Sequence, residues 1–478
     1  MKTVFAESVK GRTGFLPAAP AQKAADMLPA GLLRAAAPRL PELSELDVVR
    51  HFTRLSQLNY SVDSNFYPLG SCTMKYNPKF TETAAALPGF TRLHPLLAQL
   101  PGGEACTQGA LKAVWEMEAW LKEITGMQAY TLQPMAGANG EFTGVKLIAA
   151  YHKDKGNRKT KIICPDSAHG TNPASATLAG YDVVNIETHD GVIDPDALEA
   201  ALTDDVAALM TTCPNTLGLM ERHLPRIVEK LRKIDALLYY DGANMNAIMG
   251  KMRVGDVGFD VVHLNLHKTF ATPHGGGGPG SGPVGVSERL VPYLPVARVE
   301  KRADDTFFLN YDYPKSIGYI APFYGNYGVM LRALAYVLRL GGEGLSRASA
   351  FAVLNANYLR KELADTLTVP FDRICAHEFV ASAPEGMHAL DIAKGLLDRG
   401  IHAPTIYFPL IVKECIMPEP TETESKQTLD EFVAAVKDIV AEGKADPEKL
   451  HAAPVTLPIR RLDETAAARH MVLTEDMG

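Results

Sequence analysis

Short runs of apolar residues alternate along the central part of the chain with stretches in which apolar residues recur every three or four positions. The recurring stretches predict helices, and the runs predict strands buried on both faces, because successive strand residues point to opposite sides of a sheet. The predicted strands are residues 161–165, 181–187, 206–214, 236–243 and 259–268, and the predicted helices are residues 107–125, 141–151, 194–202 and 221–235. Strands that alternate with helices imply βαβ units, so the expected fold class is α/β, with a large domain built on a mostly parallel sheet.

The pattern changes on either side of this central part. Beyond it, the spacing predicts a smaller α+β domain made of a helix at 326–340 that ends at Gly341 and Gly342, a helix at 347–365, a strand at 371–380 and helices at 388–399 and 426–442. Before it, the proline- and alanine-rich N-terminal region contains the segment NFYPLGSCTMKYNP, which predicts a long ordered loop over residues 65–77. The predicted domains are an N-terminal extension that carries this loop (1–95), the large domain (96–325) and the small C-terminal domain (326–478).

The composition limits the classes of partner and the cellular compartment that are expected for this chain. The 478 residues carry 48 Lys and Arg side chains against 55 Asp and Glu side chains, and the net charge of −7 favours neither nucleic acid nor an anionic membrane as a partner. The six cysteines form no C-x-x-C pair, which argues against a disulfide framework and suits a reducing compartment. The N-terminal residues lack the apolar stretch of a signal peptide and no run is long enough to span a bilayer, so the expected location is the cytoplasm.

Lys268 is the first candidate for chemistry. It ends the apolar run at 259–268 and is followed by four consecutive glycines, Gly275 to Gly278. A lysine at the end of a buried strand is costly unless it is paired or chemically used, and such a lysine forms Schiff bases with carbonyl compounds. The ordinary alternative is a lysine that extends its amine to solvent.

Asp241 ends the preceding predicted strand and is followed by the small residues Gly242 and Ala243. A carboxylate there can pair with a pyridinium nitrogen and keep it protonated, so that the ring accepts electrons. The alternative is an aspartate that caps the following turn. Lys268 comes one strand later, and open α/β sheets bind their ligands at the carboxyl ends of the strands.

The segment QPMAGANGE (133–141) is a candidate phosphate cradle, because Gly137 and Gly140 can expose backbone N–H groups just before a helix. His169, in a loop after the strand at 161–165, is a candidate to stack on a cofactor ring. Taken singly, the glycines fit an ordinary loop and the histidine fits a surface residue. The functional interpretation depends on the chain order of four features: phosphate loop, stacking residue, aspartate and lysine.

This order resembles the pyridoxal-phosphate enzymes of fold type I. The segments YPLGSCTMKYNP, QPMAGANGEFTG, DSAHGTNPASA, DGANMNA, NLHKTFATPHGGGGPG and EPTETESK together resemble glycine dehydrogenase (decarboxylating), the P-protein of the glycine cleavage system. The resemblance extends from about residue 40 onward, and the length of the chain is similar to that of subunit 2 of the split bacterial form. One departure is Ala136, where many phosphate loops of this fold have serine. This leaves the N–H groups of Gly137 and Ala138 for the phosphate, with Thr269, Thr272 or a partner subunit as open sources of further contacts.

The resemblance implies decarboxylation of glycine on pyridoxal 5′-phosphate, with transfer of the aminomethyl group to the lipoyl arm of H-protein. It implies catalytic roles for Lys268, Asp241 and His169, and a heterotetramer with a homologous subunit 1. The residues expected to bind the cofactor are Gly137, Ala138, Asn139, His169, Thr212, Asp241, Ala243, Asn265, His267 and Lys268. The residues expected to line the entrance for glycine and the lipoyl group are Asn65, Tyr67, Ser71 and Thr73.

Several alternatives remain open at this point. Another decarboxylase or an aminotransferase of the same fold would keep the lysine and the aspartate, and an aminotransferase would need a carboxylate-binding arginine, for which Arg373 and Arg399 are candidates. An inactive scaffold subunit would have no use for Lys268. His263, His267 and His274 are not predicted to form a metal site, because His263 and His267 would be about 13 Å apart on a strand. Cys72 is interpreted as a small buried residue rather than a redox thiol.

Overall fold

The computed structural model describes residues 2–16, 18–19, 21–36, 38–275 and 280–473. Of the glycine run that follows Lys268, Gly276 to Gly278 lie outside the described residues. The chain forms two compact units, one of Met1–Ser61 with Ala453–Gly478 and one of Val62–Ala452. The boundaries expected from the sequence, at residues 95 and 325, stay a prediction. Among the described residues, no helix has both the length and the apolar composition needed to cross a membrane.

The secondary structure follows the expected alternation of strands and helices. The strands are β1 (Ala129–Thr131), β2 (Lys161–Pro165), β3 (Asp182–Ile186), β4 (Thr188–His189), β5 (Val192–Ile193), β6 (Val206–Thr212), β7 (Leu237–Gly242), β8 (Val261–Leu264), β9 (Val284–Val286), β10 (Arg298–Lys301), β11 (Phe307–Asn310), β12 (Ala381–Ser382), β13 (Thr405–Ile406) and β14 (Cys415–Met417). The helices are α1 (Ala24–Met27), α2 (Glu45–Ser56), α3 (Lys79–Ala85), α4 (Pro88–Thr91), α5 (Gly103–Cys106), α6 (Gln108–Thr125), α7 (Gly137–Asp154), α8 (Thr171–Leu178), α9 (Pro195–Ala201), α10 (Leu224–Lys233), α11 (Val254–Val257), α12 (Tyr327–Leu363), α13 (Ala389–Leu397), α14 (Lys426–Ala445), α15 (Pro447–His451) and α16 (Glu464–Arg469).

The main sheet has the strand order β1-β9-β8-β7-β6-β2-β3. The strands from β3 to β8 in this order run parallel, whereas β9 is antiparallel to β8 and β1 is antiparallel to β9. The strands β2, β3, β6, β7 and β8 coincide with the five apolar runs, so the predicted α/β class and mostly parallel sheet are confirmed. In register, Asp241 on β7 lies between Thr212 on β6 and His263 on β8, which brings these three side chains to one edge.

Apolar side chains cover both faces of this sheet, which explains why its strands are apolar at successive positions. On β6, Leu209 belongs to one core cluster and the next residue, Met210, belongs to another. The first cluster also contains Leu121 of α6 and Leu334 of α12, and the second contains Ile148 of α7. The helices therefore pack on both sides of the sheet and leave its carboxyl edge open for a site.

The C-terminal elements differ from the prediction in two places. The helices expected at 326–340 and 347–365 continue into each other as α12, with a break at Gly341, whose φ of 61° and ψ of −177° are not helical. The expected strand at 371–380 is wrong: pairing in this region begins only at β12. Residues 375–380 are buried, but Cys375 N donates to the Asn357 side chain and Ala376 N donates to Gly218 O. The segment is therefore apolar because it is buried, and not because it pairs with a neighbouring strand.

Candidate active site

The carboxyl ends of β6, β7 and β8 and the start of α7 surround a cavity of about 180 Å³. The sequence-predicted residues that line it are Ser71, Gly137, Ala138, His169, Thr212, Asp241, Ala243, Asn265, His267 and Lys268. Parallel strands end at a common edge, and their register places residues that are far apart in the sequence side by side. The four features that were predicted from chain order alone are therefore brought together.

Helix α7 begins at Gly137, four residues before the predicted start, so the expected phosphate loop forms the first helical turn. Ala136 precedes it and no side chain caps the helix, which leaves the first N–H groups without a capping partner. These groups and the helix dipole favour an anion at this end. A Cβ on Gly137 would lie 2.4 Å from the Asn265 amide, and a Cβ on Gly140 would lie 2.3 Å from Gly282 O, so close packing requires glycine at both positions.

Asp241 is buried at the end of β7 and is surrounded by groups that favour its ionised form. The Asn172 amide donates to its carboxylate over 3.0 Å, and the N–H of Ala243 donates over 3.0 Å. The Nε2 atom of His263 lies 3.4 Å from the same carboxylate. Burial opposes ionisation, but His263, these two donors and Lys268 outweigh it, so the pKa of Asp241 lies below its usual value.

Lys268 lies in a turn after β8, because the strand ends at Leu264 and the N–H of Lys268 donates to Asn265 O over 3.0 Å. Its Nζ atom donates to the carbonyl oxygen of Ser71 over 2.7 Å. With the Asn265 amide oriented so that it donates to Leu264 O, its oxygen accepts from Lys268 Nζ over 3.3 Å. Two neutral acceptors thus hold the amine at the cavity wall.

Of the three histidines that line the cavity, His169 and His267 have pKa values below the usual value for histidine. Burial lowers the pKa of His169, whose Nδ1 lies 2.9 Å from Thr171 Oγ1 and whose ring meets Phe408 edge to face at 5.4 Å. Burial and the neighbouring His274 lower the pKa of His267 to about 3. Among the described residues, the groups that could hold a metal are Glu141 with Asp241 and His263, and His377 with Glu378 and Glu419, rather than the three histidines weighed from spacing.

Five cavity residues were not predicted to bind the cofactor: Glu141, Thr171, Thr216, Asn244 and His263. Glu141 follows Gly137 by one helical turn, so it lies on the same face of α7. Burial, together with the charge of Asp241, raises the pKa of Glu141 to about 7. Helical spacing from Gly137 could have identified this residue, and the strand register with Asp241 could have identified His263.

Four predicted residues do not line the cavity. Asn139 accepts from Met135 N over 3.0 Å, and Asn65 donates to Gly400 O over 3.0 Å. Tyr67 stacks on the ring of His402, with centroids 3.6 Å apart. Thr73 is buried and donates its N–H to Glu419 over 3.0 Å. Of the four residues expected at the substrate entrance, Ser71 is the one that reaches the cavity.

The arginine candidates lie elsewhere, and no arginine lines the cavity in the described part of the chain. Arg373 pairs with Asp190, and Arg399 lies 3.1 Å from Glu442. Cys72 is partly buried, its Sγ lies 3.9 Å from His274 Nε2, and burial raises the pKa of its thiol. A carboxylate in the cavity would therefore meet no guanidinium from the described residues.

Comparison with known proteins assigns the family. Residues 137–277 match the family described as aminotransferase class-V, and residues 348–453 match the family described as glycine dehydrogenase, C-terminal domain. Over 477 residues, 98% of each chain, the sequence is 55% identical to the Kosmotoga olearia protein named "Probable glycine dehydrogenase (decarboxylating) subunit 2". The chain belongs to this glycine dehydrogenase subunit 2 family. A family member of the same name from Caldanaerobacter subterraneus subsp. tengcongensis is 56% identical over 454 residues, 94% of this chain and 92% of that one.

Solved structures confirm the expected fold type I architecture. The fold is similar to the inhibitor-bound crystal structure of glycine decarboxylase (P-protein) of the glycine cleavage system, with a TM-score of 0.72, 20% identity and coverage of 87% of this chain and 94% of that one. It is also similar to the apo cysteine desulfurase of Thermococcus onnurineus, with a TM-score of 0.61, 17% identity and coverage of 79% and 95%. The family expected from the motifs is therefore confirmed by the relatives, and the fold is confirmed by these structures.

Proposed function

We propose that this chain is the cofactor-bearing subunit of a glycine decarboxylase that binds pyridoxal 5′-phosphate at Lys268 and passes the aminomethyl group of glycine to the lipoyl arm of H-protein. The observation that carries the proposal is the cavity where Lys268, Asp241 and the start of α7 meet. The relative that is 55% identical over 98% of its length bears the corresponding name, which supports the same reaction here.

Three features of the cavity fit this cofactor. The uncapped first turn of α7 suits a phosphate, and Gly137 is packed too tightly for any larger residue. Asp241 is held ionised, as a protonated ring nitrogen requires. Among the described residues, the acceptors of the Lys268 amine are neutral oxygens of Ser71 and Asn265, so the amine can form a covalent bond without breaking an ion pair. When bound, pyridoxal phosphate supplies an electron-accepting ring that disperses the negative charge left by the loss of carbon dioxide.

Residues of the chain supply the other functions that this reaction needs. Asp241 holds a proton on the ring nitrogen, and the N–H groups of Gly137 and Ala138 bind the phosphate, since Ala136 offers no hydroxyl. His169 would pack its ring against the cofactor, and Thr171 and Phe408 hold that ring in place. Lys268 Nζ, once free, moves a proton to or from the substrate carbon.

Among the described residues no arginine lines the cavity, and this favours decarboxylation over transamination. An aminotransferase holds the substrate carboxylate through the whole reaction, and arginine is the residue suited to bidentate binding of a carboxylate. Both arginine candidates are instead paired with acidic residues outside the cavity. A carboxylate that this chain does not anchor is free to leave as carbon dioxide.

The test begins with borohydride reduction of the purified yellow protein. Loss of the visible band and recovery of the reduced cofactor on the peptide that contains Lys268 are expected, and Lys268→Arg serves as the matched control. Exchange of labelled bicarbonate into glycine, in the presence of lipoylated H-protein, then measures the reaction. Label on another peptide, or exchange at the wild-type rate in Lys268→Arg, contradicts the proposal.

The proposal includes a partner, subunit 1, in a heterotetramer in the cytoplasm. The smaller unit exposes Phe15, Leu16, Leu32 and Leu40, each more than 70% accessible, as an interface surface would. Six free cysteines suit a reducing compartment. Mixing this chain with subunit 1 is expected to raise exchange activity strongly and to form a complex that buries more than about 2,000 Å². Full activity of the isolated chain, with no gain on mixing, contradicts the split-subunit assignment.

A further inference from the structure

Three buried side chains of the kinds that bind metal ions meet beside the cavity: His377, Glu378 and Glu419. Each offers one atom, an imidazole nitrogen or a carboxylate oxygen, and these atoms all lie within 4.8 Å of one another. The Nε2 atom of His377 is 3.9 Å from Glu378 Oε1 and 3.8 Å from Glu419 Oε1. All three residues are 0% exposed, so this cluster is not a patch of solvated surface charge.

The imidazole of His377 is the observation that points to a ligand. Neither of its ring nitrogens has a hydrogen-bond partner among the described residues, although the side chain is fully buried. Buried polar atoms are almost always paired, so an unpaired nitrogen that faces two carboxyl groups requires a reason. Burial lowers the pKa of His377 to about 3, which leaves the ring neutral, and the neutral ring is the form that binds a metal ion.

The two carboxyl groups lack a cation bound directly to them. Among the described residues, no lysine or arginine forms an ion pair with Glu378 or Glu419, and Lys75, whose charge reaches the cluster, is paired with Glu422 at 2.7 Å. Burial raises the pKa of Glu378 well above its usual value and that of Glu419 to about 7, although Lys268 opposes both shifts from the cavity side. A divalent ion would displace the protons from both groups and supply the missing positive charge.

Hydrogen bonds already orient both carboxyl groups, as they do in most metal sites of proteins. Glu378 accepts from the Ser71 N–H over 2.6 Å and from the Asn244 amide over 3.1 Å. Glu419 accepts from the Thr73 N–H over 3.0 Å and from the hydroxyl of the same residue. A carboxylate has about four acceptor sites, so these bonds leave room for a metal. Ser71 and Asn244 also line the cavity, which places the cluster directly behind the cavity wall.

The second group of potential metal ligands, Glu141 with Asp241 and His263, is less suited to a metal. Both ring nitrogens of His263 have neighbours, because Nδ1 lies 2.7 Å from the Tyr239 hydroxyl and Nε2 lies 3.4 Å from Asp241. Asp241 is also the residue proposed to bind the ring nitrogen of the cofactor, and a metal ion there would compete with the proton on that nitrogen. The histidine of this second group therefore differs from His377, whose nitrogens are unpaired.

We propose that His377, Glu378 and Glu419 bind one divalent transition-metal ion, such as Zn²⁺, behind the wall of the cavity. Imidazole and carboxylate are both ligands of Zn²⁺, and water can fill a fourth position. Atoms bound to one tetrahedral Zn²⁺ lie about 3.4 Å apart, so side-chain shifts of about half an ångström complete the site. Through the two glutamates the ion anchors Ser71 and Thr73, whose φ values of 62° and 35° are rare for residues with a side chain.

The test is a calorimetric titration of the full-length chain with Zn²⁺, after dialysis against a chelator. The wild type is expected to bind one equivalent of Zn²⁺ for which His377→Gln and Glu419→Gln each raise the Kd by at least about 100-fold. His263→Gln is the matched control, because it removes the histidine of the second group and is expected to bind Zn²⁺ as the wild type does. Absence of binding in the wild type overturns the inference, and so does loss of binding in His263→Gln.

Equal binding by His377→Gln and the wild type would mean an adventitious ion only, for example at the exposed Cys106, and would also overturn the inference. X-ray absorption by the zinc-loaded wild type and His263→Gln gives an answer that does not depend on the folding of the other variants. A shell of nitrogen and oxygen atoms at about 2.0–2.2 Å in both proteins supports the proposed site, whereas sulfur at about 2.3 Å assigns the ion to cysteine and refutes it. Neither measurement uses pyridoxal phosphate, so this inference and the proposed function fail separately.

Discussion

Replacement of Asp241 by asparagine tests the group on which the proposed chemistry depends most. Asp241 is 3% exposed and accepts from Asn172 and from the Ala243 N–H, with His263 3.4 Å away. Asparagine keeps the size and one acceptor oxygen, but it removes the charge and places an NH₂ group where a carboxylate oxygen was. The substitution therefore separates the effect of the charge from the shape of the cavity.

The expected loss follows from the attraction of two unit charges at close range. At a separation of about 3 Å and an effective dielectric constant of about 20, this attraction is about 5 kcal/mol. The amide dipole retains part of it, and a loss of about 2.7 kcal/mol from the transition state corresponds to about 100-fold in kcat. The cofactor itself is expected to remain bound, because the phosphate contacts at α7 and the bond to Lys268 are untouched.

Bicarbonate exchange into glycine is the assay, and the visible band reports cofactor content in the same samples. Asp260→Asn is the matched control, because Asp260 is also a buried carboxylate of the sheet region, accepts from Leu238 N over 2.9 Å and does not line the cavity. This control is expected to lower stability without a comparable loss of exchange per bound cofactor. Exchange within threefold of wild type in Asp241→Asn, with the cofactor bound, would show that the carboxylate has no such role.

Two further predictions concern cofactor binding and stability. Gly137→Ala places a Cβ 2.4 Å from the Asn265 amide, so it should displace that amide and raise the Kd for pyridoxal phosphate at least about tenfold in a visible titration. The control is Gly109→Ala, whose Cβ would have no neighbour within 4 Å and which should leave the Kd unchanged. Equal affinities of the two variants refute the packing argument. Burial raises the pKa of Glu221 to about 7, so the folded protein binds this proton more tightly than the unfolded chain and loses stability as pH rises from about 4.5 to about 7. Relative to the wild type, the free energy of unfolding of Glu221→Gln in urea should therefore rise over this pH range, by at most about 3 kcal/mol. A difference in free energy of unfolding between the two proteins that stays constant with pH contradicts the assignment.

The sheet and the main cavity residues could be predicted because their signals are local. Strands buried on both faces need apolar residues at successive positions, and this requirement marks β2, β3, β6, β7 and β8 in the sequence. A polar residue at the end of such a run is conspicuous, and Asp241 was found in this way. Lys268 was found by the same reasoning, although its strand ends four residues earlier than expected.

The residues that hold the loop at 71–73 could not be predicted, because their partners are remote. Ser71 and Glu378 are 307 positions apart in the sequence, and Thr73 and Glu419 are 346 positions apart. No helical or strand period links positions at such distances. The segment that contains Glu378 also has the composition of a strand. Because residues 371–380 were wrongly predicted to be a strand, the polar residues in this segment were not recognised. A buried strand and a buried segment without a strand partner both require apolar residues, so a single sequence does not distinguish the two.

The start of α7 shows how a missing hydroxyl can serve cofactor binding. A serine at position 136 would be able to cap the helix by accepting from its first N–H groups, and loss of such a cap costs a helix about 1 kcal/mol. With Ala136, these donors have no side-chain cap and stay available to an anion. A phosphate bound there takes over the role of the cap, so part of the stability of α7 depends on the cofactor. A ligand that binds only the folded form raises stability by about 2.7 kcal/mol at 100 times its Kd. From this coupling we expect inorganic phosphate to raise the thermal unfolding temperature of the wild type, and to raise that of Ala136→Ser by less. Identical increases in the two proteins would argue against the coupling.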